Sequence, residues 1–257
     1  MYVHLKNIVR KVIPQKLLFK YEEDLRNLLY PFYQGDTCEC NICKAKLKKF
    51  EKIETGDLLC PRCGSLPRTR RLNKLLDEKF LEDGFTVLDF SPSRSQYRKL
   101  KKNKKIEYFA TDFENEFLAD YHFDITSIGV ENDKFDLIIC YHILEHIIED
   151  MLAMKELFRV LKPKGKIMIQ TPFLGETIYE DYSINTPELR LKHFGQKDHV
   201  RIYAAQGLEN RLKDVGFKTE ILQFSKNDYL GLSDNELVII GWKDEYAKTS
   251  KSLEYSI

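Results

Sequence analysis

The hydrophobic pattern of residues 86–170 alternates between short apolar runs and a longer segment with helical spacing. Four apolar runs predict buried strands, at 86–90, 107–111, 135–140 and 166–170. Residues 143–161 place apolar side chains along one helical face and are followed by Pro163-Lys164-Gly165, which predicts one long helix. Strands that alternate with helices predict a parallel sheet covered on both faces. We therefore expect an α/β fold with a Rossmann-like, doubly wound sheet.

The last third of the chain changes this pattern. Residues 204–215 predict a helix that ends at Gly216, and residues 219–225 and 236–242 predict two strands joined by a polar loop. Two consecutive strands without a crossover helix predict a hairpin. The mostly parallel sheet should therefore finish with an antiparallel strand.

The N-terminal segment is basic and amphipathic. Residues 1–20 contain five Lys or Arg and no acid, with apolar residues at loosely helical spacing, and Pro14 stops or kinks the predicted helix. Residues 25–33 predict a second, short helix. The segment at 1–20 fits two roles, a surface helix docked on the protein or a peripheral contact with an anionic membrane or partner. No continuous apolar run reaches the length of a signal or membrane span, so we expect a cytoplasmic protein with reduced cysteines.

Four cysteines form two hooks of the kind that hold zinc. The pairs Cys40/Cys43 and Cys60/Cys63 each have Cys-x2-Cys spacing and lie sixteen residues apart, which is typical of a tetrahedral four-thiolate site. Gly64 allows the backbone to turn after the second hook. Such a site has no open position, so we expect a structural zinc ion. Cys38 and Cys140 are left out of the predicted site.

Charge and length then set the domain boundaries. The chain has 257 residues and a net charge of +1, but residues 1–75 contain sixteen Lys or Arg against eight Asp or Glu. This part therefore carries +8 and the remainder −7. We predict three regions: basic amphipathic helices at 1–37, a zinc ribbon with a linker helix at 38–75, and a catalytic domain at 76–257.

A ligand site is predicted where the first two strands end. Asp89 lies near the end of the first strand, the small-residue loop Ser91-Pro-Ser93-Arg-Ser95 follows, and Asp112 ends the next strand. Acids at these positions suit a nucleotide-like ligand at the carboxyl edge of a parallel sheet, where they accept hydrogen bonds from ribose hydroxyls.

Residues 66–243 resemble the class I S-adenosylmethionine-dependent methyltransferases. The resemblance is carried mainly by the segment from Phe135 to His146, FDLIICYHILEH, followed by a helix, LKPKG and a strand. It implies that Asp89 and the loop hold the methionine part of the cofactor and Asp112 the ribose. The implied cofactor-binding residues are Asp89, Ser91, Ser93, Asp112, Phe113, Asp124, Ile125, Tyr141 and His142.

The cofactor loop departs from the family pattern. Ser91, Ser93 and Ser95 occupy the three positions at which the family has glycine. Serine has a Cβ and adopts positive φ less readily than glycine. However, Ser93 and Gln96 have capping-box spacing, so the loop can still start a helix and point N–H groups toward the ligand. A bacterial group of zinc-ribbon methyltransferases that is common near surface-glycan genes also lacks these glycines, and Cys63-Gly-Ser-Leu-Pro-Arg68 resembles its post-ribbon segment.

The acceptor side is predicted between the fifth strand and the next helix. Residues 181–201 form a long polar connection at the functional edge of the sheet, and long connections of this kind are usually functional. They also resemble a His-Phe-Gly-Gln-x-Asp-His-x-Arg stretch of the same group, which implies His193, Asp198, His199 and Arg201 as acceptor-binding residues. Histidine is a suitable base near neutral pH, so we expect His142 or His199 to deprotonate the acceptor.

Three functions fit the sequence. The first is methylation of a hydroxyl on a small-molecule or glycan-linked acceptor. The second is RNA methylation, in which the basic ribbon contacts phosphates, although no pattern of interleaved basic and aromatic residues supports nucleic acid as the partner. The third is a catalytically silent protein that retains the fold and binds the cofactor or a partner.

Overall fold

A computed structural model describes residues 15–114 and 116–245, with backbone only for residues 15–20. Residues 1–14 of the predicted amphipathic segment at 1–20 therefore lie outside the described residues. The chain forms two compact units. None of the described helices combines the length and the apolar character that crossing a bilayer requires.

The first unit comprises residues up to 81 together with 93–103 and 224–236. Its helices are α1 (Gln15–Leu29), α2 (Pro67–Leu75) and α3 (Arg94–Lys102). A 3-10 turn over Tyr30–Phe32 follows α1, so the short helix predicted for 25–33 is the end of a longer one. Two small antiparallel ribbons carry the cysteine hooks, and they pair β1 (Gln34–Glu39) with β2 (Lys46–Leu47) and β3 (Glu51–Lys52) with β4 (Leu58–Leu59).

The second unit contains a six-stranded sheet. Its strands are β5 (Thr86–Phe90), β6 (Glu107–Thr111), β7 (Phe135–Tyr141), β8 (Leu161–Gln170), β11 (Lys218–Phe224) and β12 (Glu236–Trp242). They lie in the order β11-β12-β8-β7-β5-β6, with β6, β5, β7 and β8 parallel and β12 antiparallel to β8. The predicted Rossmann-like α/β sheet with its antiparallel terminal strand is confirmed.

Helices of this unit bury apolar faces in a core that includes the sheet. Helix α4 (Asp150–Val160) contributes Ala153, Met154 and Leu157, and α6 (Ala205–Val215) contributes Leu208 and Leu212. Gly216 has φ +117° and ends α6 in the left-handed conformation, as its position in the sequence predicts. Between β8 and α6 the chain forms β9 (Tyr179–Glu180), α5 (Pro187–Phe194) and β10 (Arg201–Ile202), and β9 pairs antiparallel with β10.

The prediction of one helix over 143–161 is wrong at its start, whereas its end agrees to within one residue. Leu144–His146 form a single 3-10 turn, α4 begins at Asp150, and β8 already begins at Leu161 and includes the Pro-Lys-Gly segment. The cause is Arg201, whose guanidinium donates hydrogen bonds to the carbonyls of Leu144, Ile147 and Ile148. Those carbonyls are thereby directed to a distant side chain, and a continuous helix does not form.

Strands β5 and β7 lie side by side in the middle of this sheet, and the strands that follow them in the chain, β6 and β8, lie on opposite sides of the pair. The chain passes from β5 outward to β6 and then returns to β7 on the other side of β5. Ligands of such sheets bind beyond the carboxyl ends of the strands at this point of reversal. Asp89 at the end of β5 and His142 after β7 therefore lie where a cofactor site is expected.

Candidate functional site

The four predicted cysteines converge in the first unit. The Sγ atoms of Cys40 and Cys63 lie 3.6 Å apart, and those of Cys43 and Cys60 lie 3.8 Å apart. Sulfurs around a tetrahedral zinc ion with bonds of about 2.3 Å are separated by roughly 3.8 Å. The donor set and its spacing therefore fit a four-thiolate zinc site. Cys38 instead donates its thiol to the carbonyl of Leu47, and Cys140 is buried within β7.

Both hooks use the same backbone turn. The amide of Lys44 donates to the carbonyl of Cys40 (2.8 Å), and the amide of Gly64 donates to that of Cys60 (2.9 Å). Lys44 has φ +57° and Gly64 has φ +77°, so the residue after each hook is left-handed. The sequence indicated this turn only at Gly64, because lysine is not a residue that marks positive φ.

A polar layer surrounds the sulfurs. The Ser65 hydroxyl lies 3.3 Å from the sulfur of Cys40 and 3.2 Å from that of Cys63. Arg70 has no exposed surface and donates to the carbonyls of Ser65, Leu58, Leu230 and Gly231. Burial lowers the pKa of Arg70, and the nearby cysteines oppose that change. A buried cation beside four sulfur ligands offsets part of their negative charge. No pattern in the sequence predicts this role for Arg70.

At the end of β5, Asp89 is buried with only 1% of its surface exposed. Burial raises the pKa of Asp89 to about 7, although the Tyr108 hydroxyl donates a 2.8 Å hydrogen bond to its Oδ2 atom. The carboxyl group is therefore close to its titration point at neutral pH. A neighbouring cation, such as the ammonium group of a bound ligand, would favour the ionised form.

The serine at the first glycine position adopts a glycine-like backbone. Ser91 has φ +45°, which is uncommon for a residue with a Cβ. Its amide donates to the carbonyl of Thr111 (2.7 Å), and its hydroxyl donates to Oδ1 of Asp112 (2.7 Å). These two hydrogen bonds stabilise the strained conformation. The loop thus keeps the backbone path that a glycine would give.

Asp112 is buried at the end of β6, and both of its carboxylate oxygens accept hydrogen bonds. Besides the bond from Ser91 to Oδ1, the amides of Glu116 and Phe117 donate to Oδ2 at 2.6 and 3.0 Å. The neighbouring predicted cofactor residue Phe113 is exposed. The backbone after β6 therefore approaches the carboxylate that we expect to bind ribose.

The remaining predicted cofactor residues lie in separate places. Asp124 closes a local turn by accepting hydrogen bonds from the amide and hydroxyl of Thr126, and Ile125 is buried beside it in the core. Ser93 belongs to the first unit, where its Oγ caps α3 by accepting a hydrogen bond from the amide of Gln96. The predicted helix cap at Ser93 is confirmed.

An imidazole and a carboxylate meet after β7. Tyr141 is the last residue of β7, and His142 follows with φ +57°. The Nδ1 atom of His142 lies 3.3 Å from Oε1 of Glu145, a residue that the sequence analysis did not include. Burial raises the pKa of Glu145, but its interactions with His142 outweigh this effect and hold the pKa below its usual value. A carboxylate that contacts Nδ1 can orient an imidazole as a base.

Two more histidines lie near this pair. The rings of His146 and His199 meet edge to face with centroids 4.7 Å apart, and Nδ1 of His146 lies 3.1 Å from Oδ2 of Asp198. Burial lowers the pKa of His199, and His146 lowers it further. The amide of Val200 donates to the carbonyl of Glu145, which fixes the segment after α5 against the turn after β7. The structure therefore brings together His142, His146, Asp198 and His199.

Arg201 and His193 have other surroundings. Arg201 is fully buried, and its Nε donates to Glu180 (2.8 Å) while its other nitrogens bind the carbonyls after β7. His193 hydrogen-bonds through Nδ1 to the hydroxyl of Tyr179 (2.9 Å). Arg201 thus positions the turn that carries Glu145 and His146, and its nitrogens are already engaged by protein oxygens.

A pocket of about 330 Å³ lies beside these groups. It is bordered by Glu145, by residues after β8 that include Thr171 and Phe173, and by residues 194–196 and 199 of the predicted acceptor segment. A volume near the lower end of the range for small-ligand sites suits one compact chemical group. The segment 181–201 therefore contributes directly to the wall of a cavity, and it does so as an ordered helix and strand.

The comparison with protein families agrees with this arrangement. The model of the methyltransferase domain family matches residues 68–221, and the chain belongs to that family. No curated protein matches the chain significantly. The protein is an S-adenosylmethionine-dependent methyltransferase.

Solved structures show the same fold. A SAM-dependent methyltransferase from Archaeoglobus fulgidus is similar with a TM-score of 0.51 and 16% identity, over 68% of this chain and 93% of that one. A chain of the complex between the Haloferax volcanii Trm112 methyltransferase activator and the putative methyltransferase is similar with a TM-score of 0.50 and 14% identity, over 67% and 88%. At these identities the likeness concerns the fold.

Proposed function

We propose that this methyltransferase transfers its methyl group to a hydroxyl of a small-molecule or glycan-linked acceptor. The observation that supports the proposal is the pair formed by His142 and Glu145 at the carboxyl end of β7. A hydroxyl is a weak nucleophile at neutral pH and requires a base. The imidazole of His142 is contacted by a buried carboxylate, which is the arrangement that such a base needs.

In the proposed reaction His142 accepts the hydroxyl proton of the acceptor. The acceptor oxygen then forms a bond to the methyl carbon as the bond between that carbon and the sulfonium sulfur breaks, leaving neutral S-adenosylhomocysteine. S-adenosylmethionine supplies an electrophile that is already activated, so positioning contributes much of the acceleration. Of the two predicted bases we select His142, because Glu145 contacts its Nδ1 atom and leaves Nε2 to take the proton.

The cofactor residues are proposed on the geometry of the sheet edge. Asp89 would accept the ammonium of the methionine part, and Asp112 would accept ribose hydroxyls with lone pairs that the loop amides leave free. The positive φ of Ser91 supports a cofactor-binding loop, because strained backbone conformations occur most often at binding and catalytic sites. Ser93, Phe113, Asp124, Ile125 and Tyr141 complete the proposed set.

The cysteine centre is proposed to hold one structural zinc ion. Cys40, Cys43, Cys60 and Cys63 would fill all four positions, so the ion has no place for a substrate. With this centre the protein would belong to the zinc-ribbon subgroup, and we propose the ribbon at residues 38–75 and the catalytic domain at 76–257, after the basic helices at 1–37. Four thiolate ligands need a reducing compartment, which supports a cytoplasmic location.

The pocket favours a compact acceptor over RNA. A cavity of about 330 Å³ accommodates a single ring or a short chain, and aromatic and aliphatic residues border much of it. His199 and Gln196 provide polar groups that can recognise hydroxyls, and Asp198 contacts His146 close by. We propose His199 and Asp198 as acceptor-side residues. Arg201 would act indirectly, through the turn after β7 that it holds. His193, on α5, stays a proposed acceptor-binding residue.

The test is a screen with methyl-labelled S-adenosylmethionine against separate pools of nucleotide sugars, short glycans and RNA. We expect label in the glycan or nucleotide-sugar pool, and the label should resist mild acid because the product is a methyl ether. Transfer to RNA alone would contradict it. Absence of transfer to every pool would support the silent protein instead, and calorimetric titration with S-adenosylmethionine would then show whether it binds the cofactor.

A further inference from the structure

Glu145, His146 and His199 form a cluster with the ligand types of a metal site, beyond the parts that the proposed methyl transfer gives to Glu145 and His199. One carboxylate oxygen and one nitrogen from each imidazole lie within 4.8 Å of one another. Glu145 and His146 belong to the 3-10 turn after β7, and His199 precedes β10. The hydrogen bond from the amide of Val200 to the carbonyl of Glu145 joins the two segments.

The carboxylate in this cluster lacks hydrogen bonds. Glu145 has only 1% of its surface exposed, and neither carboxylate oxygen has a hydrogen-bond partner among the described residues. Its contact with Nδ1 of His142, at 3.3 Å, involves Oε1, and Oε2 has no hydrogen-bond partner among the described residues. A buried carboxylate is unfavourable unless a cation or several donors compensate it.

The two imidazoles are already oriented by other groups. His146 contacts the carboxylate of Asp198 through Nδ1, and the ring of His199 lies edge to face with that of His146, with the ring centroids 4.7 Å apart. When one ring nitrogen is held in this way, the other presents a lone pair. Carboxylate partners of this kind usually accompany histidines that ligate metals.

We propose that Glu145, His146 and His199 bind one divalent first-row transition-metal ion. Two imidazoles and one carboxylate are ligands that such ions prefer, and three ligands leave coordination positions open. Ligand atoms around an ion with bonds of about 2.1 Å lie roughly 3.4 Å apart. The side chains therefore have to approach each other by at most about 1.4 Å when the ion binds.

The position of the cluster gives the ion a function. Glu145 and His199 border the 330 Å³ pocket, so an open coordination position would face an acceptor there. An oxygen of the acceptor that binds the ion becomes more acidic, and His142 then removes its proton more readily. This role rests on the proposed function, whereas the binding of the ion does not.

The test is a titration of zinc-replete protein with Co²⁺, without cofactor or acceptor. We expect about one Co²⁺ bound per chain with the original zinc retained, and visible absorption of the kind given by nitrogen and oxygen ligands. Glu145→Gln and His199→Gln should reduce the affinity for Co²⁺ at least tenfold. The matched control His193→Ala, in the same segment, should keep it.

A second variant shows whether weaker Co²⁺ binding results from misfolding. The side chain of His146 is 30% exposed, so His146→Ala should leave the thermal midpoint and the binding of S-adenosylmethionine unchanged while it weakens Co²⁺ binding. The proposal is overturned if the parent takes up Co²⁺ only by exchange at the cysteines, or if His146→Ala and Glu145→Gln bind Co²⁺ like the parent. Co²⁺ binding without transfer to any hydroxyl would instead contradict the proposed function.

Discussion

The hydroxyl of Ser91 donates a 2.7 Å hydrogen bond to Oδ1 of Asp112, and this bond links the loop after β5 to the end of β6. Ser91 holds this position with φ +45°, a conformation that glycine adopts at little cost. The bond and the strain have opposite effects on stability. The hydrogen bond offsets the strain of the positive φ, so a loop without glycine keeps the shape that a cofactor site at this edge requires.

Ser91→Gly should therefore change the free energy of unfolding by less than about 1 kcal/mol, because the relief of strain offsets the lost hydrogen bond. Ser91→Val should destabilise the protein by about 1–3 kcal/mol, since a β-branched residue resists positive φ. Denaturant unfolding measures both changes. If Ser91→Gly lost as much stability as Ser91→Val, the loss would come from the hydroxyl that both variants lack, and the backbone conformation would contribute little.

The raised pKa of Asp89 predicts a pH-dependent stability. Because the pKa in the folded protein, about 7, exceeds the ordinary value of 3.8, the folded state binds the proton more tightly than the unfolded state. This contribution to stability is fully present below about pH 4 and is lost as the pH rises to about 7. Asp89→Asn, which stays neutral, should flatten that part of the profile in the cofactor-free protein. Urea unfolding at several pH values tests this, and an unchanged slope in Asp89→Asn would refute the assignment.

Elemental analysis should find about one zinc per chain as purified. Cys60→Ser should lose it and leave the first unit poorly folded, because binding of the ion contributes to folding. Cys38→Ser is the matched control, since Cys38 is also buried but its thiol contacts a carbonyl. Equal zinc in Cys60→Ser and Cys38→Ser would exclude the proposed centre.

Arg70 should be essential to the first unit. Lysine carries the same charge but has three donors and no planar fork, so Arg70→Lys leaves several buried carbonyls without a partner. We expect a loss of about 3–5 kcal/mol in the free energy of unfolding. Arg68, three positions after Ser65, is exposed, and Arg68→Lys should cost less than about 0.5 kcal/mol. Comparable losses in the two variants would show that the buried hydrogen bonds of Arg70 contribute little.

The sequence predicted the elements that depend on local pattern. Strands β5 and β6 have the predicted bounds, and the cysteine hooks converge as their spacing indicates. The helix predicted from 143 failed because its apolar spacing is helical, whereas Arg201, more than fifty residues later in the chain, binds the carbonyls of that turn. Such a contact leaves no periodic signal.

The candidate site residues divide in the same way, into those that residue type alone indicates and those that only the fold reveals. His142 and His199 were identifiable because histidine is the usual base near neutral pH. Glu145 was not identified, because a single acid beside apolar residues is usually exposed, and only the fold buries it. The positive φ of Ser91 and Lys44 was equally hidden, because neither residue type marks a left-handed position.

The most direct test of the account compares methyl transfer by the parent and by His142→Gln, with one acceptor from the screened pools, between pH 6 and 9. We predict that His142→Gln binds S-adenosylmethionine within about threefold of the parent and lowers kcat by about 100-fold to 10,000-fold. A general base also gives the parent rate a dependence on pH, and the variant should lack that dependence. A variant that transfers the methyl group to the hydroxyl at the parent rate, with the same pH profile, would contradict the account.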